Sequence, residues 1–81
     1  MSDVRPTHAF YLRDLGCLVK EAALDVKRSK DGASADQRSY ELGRLMAFHE
    51  VVSLMQQQAL VFQIPLDEIC LQDIDPERDL T

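Results

Sequence analysis

The stretch from Ala35 to Phe62 contains no proline and one glycine, Gly43. It predicts a single helix of about 28 residues, about 40 Å long at 1.5 Å rise per residue. Its apolar residues include Tyr40, Leu42, Leu45, Met46, Phe48, Val51, Val52, Leu54, Met55, Ala59 and Phe62, too many for one stripe. Leu45, Val52 and Ala59 fall seven apart, and so do Tyr40, Ala47 and Leu54. One neighbouring helix covers roughly a third of a helix surface. This helix therefore needs cover on more than one side.

The rest of the chain supplies one such cover. Between Ala9 and Lys30, Tyr11, Leu12, Leu15, Leu18, Val19, Ala22, Ala23 and Val26 recur at spacings of three and four, the mark of one helical face. Helix one is expected at about 7–30, with Thr7 as a candidate N-cap. The turn is expected at 31–34, with Asp31-Gly32 suited to a left-handed cap. Helix two is expected at about 35–63, opened by Ser34 with Gln37 at capping-box spacing. A turn this short predicts an antiparallel hairpin. Pro65 ends helix two, because it lacks an N–H and disfavours helix at the residue before it. The C-terminal segment, 65–81, is expected to make one or two turns and then run on as an acidic, mostly extended tail, with Leu80 as a possible anchor. On that reading, removal of residues 73–81 leaves the fold largely intact.

The fold class expected is all-α: one helical domain over 1–81, a hairpin that dimerises as a four-helix bundle. Hydrophobic residues make up 46% of the 81, which argues against disorder. A chain this short buries a thin core, and a second copy adds core without adding chain. Leu45, Phe48, Val51, Val52 and Met55 are the expected interface residues. Gly43 and Ala47 are small enough to let another helix approach closely.

Formal net charge is -5, and residues 31–81 hold ten of the fourteen acidic residues. Nucleic-acid binding needs clustered basic residues, and Lys27-Arg28-Ser29-Lys30 is the one basic patch, read as a solvated helix end. No nucleic-acid partner is expected. The opening residues, MSDVRPTH, are polar, and apolar runs fall far below the ~20 residues that span a membrane. The expectation is a cytoplasmic protein with no membrane partner. Cys17 and Cys70 do not make a disulfide framework, and both are expected to be reduced, Cys17 as a small buried hydrophobe.

Candidate sites are few. His49-Glu50 starts like a zinc-protease helix, but that motif needs a second His four residues on, and position 53 is serine. His49 reads better as a semi-buried histidine bonded to a neighbour. Asp73, Asp75, Glu77 and Asp79 alternate along the tail. A calcium loop would need Gly at its sixth position, where Arg78 stands. The four carboxylates read as a solvated end or as a strip that docks on a basic surface. Neither cysteine has a local histidine to activate it, and no cofactor is expected.

These features point away from an enzyme. They point to a small protein-binding protein that is a homodimer, with a second, basic protein as a possible partner. It would mask that partner with apolar helix surface, in the format of inhibitors, antitoxins, immunity proteins and regulatory adaptors. The alternative is a ligand or metal module in which His49 and Glu50 of two chains meet at a dimer interface.

Overall fold

In the computed structural model, which describes residues 4–81, two long helices lie antiparallel and a folded C-terminal segment packs across them. Helix α1 spans Val4–Asp31 and α2 spans Ala35–Val61. A 3₁₀ turn follows at Leu66–Ile69, and a one-turn helix, α3, at Pro76–Asp79. No strand is present among the described residues. Helix α1 begins earlier than its spacing predicts. Pro6 does not prevent this, because the first-turn N–H groups of a helix have no intrahelical partner in any case. Residues 1–3 of the expected lead lie outside the described residues.

The helix ends use different devices from those expected. No glycine has a positive φ. Gly32 instead closes α1 by donating to the Arg28 carbonyl at 3.1 Å. Ser34 holds the N-cap position of α2, but its side chain makes no capping bond. A left-handed residue instead stands at the other end of α2, Gln63, φ 58°. Gln63 donates to the Leu60 carbonyl and Ile64 to the Ala59 carbonyl. That pair of bonds is the Schellman arrangement, here with glutamine where glycine usually stands.

The core is split unevenly. The hairpin contributes Ala23, Val26, Leu45, Val52 and Ala59, while the C-terminal segment contributes Ile69, Leu71, Ile74 and Leu80. Three of the four largest fully buried side chains are leucines, and two of these, Leu71 and Leu80, come from the segment. The extended tail is therefore corrected. Its acidic residues face solvent, while Ile74, Pro76 and Leu80 turn inward. Asp75 caps α3 by accepting from the Glu77 N–H at 3.0 Å, and Pro76 sits in the first turn, where its fixed φ suits a helix start.

The expectation of two reduced cysteines is also corrected. Cys17 and Cys70 form a disulfide across 53 residues, with Cα atoms 5.1 Å apart. The neighbouring Gly16 explains the close approach. A Cβ there would fall 1.8 Å from the Ile69 carbonyl oxygen, so only glycine lets the 3₁₀ turn lie against α1.

Candidate functional site

The C-terminal segment is held by one side of the hairpin. On α1 its contacts come from Gly16, Cys17, Lys20 and Lys27. On α2 they come from His49 and Gln56. The Gln56 amide donates to the carbonyls of Leu71 at 3.1 Å and Ile74 at 2.8 Å, so one side chain satisfies two backbone acceptors beside the core.

The tail carboxylates all have partners within the chain. Asp73 pairs with Lys20 at 2.9 Å. Glu77 meets His49 Nε2 at 3.1 Å. Asp75 caps α3 through its side chain, and its own N–H donates to Asp79 at 2.9 Å. Asp79 also accepts from Arg78. The strip expected to dock on a basic surface thus serves to fasten the segment. The basic cluster is likewise engaged. Lys27 donates to the Thr81 carbonyl oxygen, Arg28 pairs with Asp25, and Lys30 pairs with Asp31.

Hydrogen bonds from Arg78, then from the Asp75 N–H, hold the Asp79 carboxyl down at about 2. Lys20 lowers Asp73 in the same way. A carboxyl whose folded pKa is depressed stabilises the fold above its unfolded pKa, and that stabilisation is lost as pH falls through the folded value. For Asp79 the window runs from 3.8 down to about 2. Asp79→Asn should therefore flatten the fall in melting temperature across that window. An acid limb identical to the parent's would show that Asp79 is not coupled to folding.

The side of the hairpin away from the segment has no such cover. On α1, Tyr11, Leu15, Leu18 and Ala22 form one stripe at spacings of four, three and four. On α2, Phe48, Val51, Met55, Gln58 and Phe62 form another, turned about 100° or more from the row that meets the segment. Leu12, Met55 and Phe62 line one shallow groove at the edge of this face, which Ile64 and Ile69 of the C-terminal segment also line. Neither stripe contains a charged residue. Leu18 is 55% exposed, Leu54 60% and Phe62 68%. Beyond Val51 the surface continues along the outer side of α2 through Tyr40, Gly43, Ala47 and Leu54, all exposed. A Cβ added at Gly43 would meet nothing within 4 Å.

Comparison with known proteins adds no relative: no family model, no curated protein and no solved structure matches the chain significantly.

The residues expected at an interface therefore divide. Leu45 and Val52 are fully buried in the chain's own core, because α1 and the C-terminal segment converge on that row. Phe48 and Met55 are half-buried against the core, and Val51 is exposed. His49 is semi-buried and faces Glu77, on the segment side, while Glu50 is exposed. Among the described residues, no three His, Cys, Asp or Glu side chains come together in a way that could hold a metal ion. An apolar groove of about 310 Å³ runs beside His49 between Leu42, Met46 and Leu80. It is open to solvent, and Glu50 and Thr81 join His49 in its lining. Sequence reasoning missed Gly16 and the disulfide, and it marks Gln56 in a polar collar without its partners, the Leu71 and Ile74 carbonyls. Gly16 beside Cys17 was the available signal, a small residue next to a potential cross-link.

Proposed function

We propose that this chain is a non-enzymatic binding protein that acts through the uncovered apolar face of its hairpin. The observation that carries the reading is the pair of uncharged stripes on α1 and α2, opposite the face covered by the segment. Contiguous apolar surface of this kind marks a docking site. The molecule measures 55 × 20 × 16 Å. A face about 40 Å long and 20 Å wide offers roughly 800 Å², the share each partner contributes to a standard interface.

The first occupant is a second copy. Two hairpins laid face to face make a four-helix layer with C2 symmetry, with the C-terminal segments outermost. The acidic residues then stay at the rim, where like charges of two copies remain in water. A different helical protein seated on the same face is the second occupant, and the net charge of -5 favours encounter with a basic one. A copy placed on this face does not bring two His49 side chains together, since His49 lies on the segment side. In that dimer the alternative module, with His49 and Glu50 of two chains at one interface, would not form.

Light scattering coupled to size exclusion at low micromolar protein tests the reading. The expected mass is that of two chains. Val51→Glu and Leu54→Glu should each give a monomer of unchanged helicity, since an unpaired charge at such a face costs about 3 kcal/mol, roughly a hundredfold in affinity. A monomeric parent would remove the second copy as occupant. A dimer indifferent to both substitutions would remove the face.

A further inference from the structure

We propose that the Cys17–Cys70 bond is a reducible latch that sets whether the C-terminal segment stays docked. The inference does not depend on which partner takes the opposite face. Both cysteines are only partly buried, unlike the neighbouring Leu71, and exchange requires that a dithiol reach one of the two sulfurs. Cys70 also holds a left-handed backbone, φ 64° and ψ 25°. A non-glycine residue keeps that conformation only where its surroundings over-determine it, and the bond to α1 is one of the restraints. Apart from the two part-buried bonds from the Gln56 amide, the polar ties of the segment are pairs at the surface: Asp73 with Lys20, Glu77 with His49, Thr81 with Lys27. Such exposed pairs contribute little singly.

Undocking has a defined consequence. The segment supplies Ile69, Leu71, Ile74 and Leu80 to the core, and these pack over Leu45, Val52 and Ala59. Release uncovers that row and gives the hairpin a second apolar face. In oxidising surroundings the bond persists, and in reducing ones thiols are favoured. The chemistry is thiol–disulfide exchange. A dithiol's thiolate attacks one sulfur, and its second thiol resolves the mixed disulfide. The dithiol leaves as its own disulfide, and its two electrons and two protons end on Cys17 and Cys70 as thiols.

The test uses the whole native chain without denaturant. It is treated with dithiothreitol, alkylated and weighed, and its amide exchange is followed. Alkylation of both cysteines is expected, with exchange over Leu66–Leu80 faster by at least about tenfold and slowed again on reoxidation. The Cys17→Ser, Cys70→Ser double variant should exchange equally fast with no dithiol present. Cysteines that react only in denaturant would make the bond a permanent staple and overturn the proposal. Full alkylation with unchanged exchange would overturn it too, by showing that apolar packing alone docks the segment.

Discussion

Gly16→Ala is expected to lower the melting temperature by roughly 8–16 °C. In an ordinary helix interior the same change is favourable, because alanine loses less backbone entropy than glycine on folding. Here the new methyl would lie 1.8 Å from the Ile69 oxygen and 2.9 Å from its carbonyl carbon. Both atoms are backbone, in a turn fixed by the disulfide one residue further on, so neither can rotate away. Overpacking of this kind costs about 3 kcal/mol, and that outweighs the gain of ~1 kcal/mol in helix propensity. Gly43→Ala is the control. It meets open space in the single chain and should raise stability slightly, unless a second helix lies against it. Thermal melts by circular dichroism decide the matter. A Gly16→Ala protein as stable as the parent would mean that the 3₁₀ turn does not rest on α1.

The second large effect is loss of the tail. A chain ending at Gln72 lacks Ile74, Pro76 and Leu80, all buried, and leaves Gln56 without its Ile74 acceptor. Burying Ile74 and Leu80 contributes about 1.5–3 kcal/mol each. The whole stability of a domain this size is about 4–12 kcal/mol at ordinary per-residue values. The truncated chain should unfold at a much lower urea concentration, with a lost or broadened transition. An unchanged midpoint would restore the extended tail that the letters suggest.

That reversal shows what could be read in advance and what could not. The two helices and their turn were legible because Leu15, Leu18 and Val26, and Leu45 and Val52, recur at helical spacing over many turns. Proline at position 65 marked the end of α2 equally plainly. The tail was not legible, because its inward residues, Ile74 and Leu80, are isolated among Asp, Glu and Arg and follow no period. A four-residue helix has no room to show one. The disulfide was hidden for another reason. Residues 17 and 70 become neighbours only after the hairpin forms and the chain reverses again at Gln63. Local spacing carries no information about such a meeting. The interface residues were half-legible: periodicity grouped them by row, but only the packed chain separates the buried row of Leu45 and Val52 from the open row of Val51 and Leu54.

The uneven core also governs when the molecule can fold during synthesis. Leu80 is almost completely buried, and it arrives far later in translation than the helices it packs upon. A nascent chain carrying only α1 and α2 holds Ala23, Val26, Leu45, Val52 and Ala59 without the large side chains that close over them. Closure of the core must therefore wait until residue 80 has cleared the ribosomal exit tunnel. Through that interval both sides of the hairpin are bare, and they are open to whatever chaperone or sister chain stands nearest.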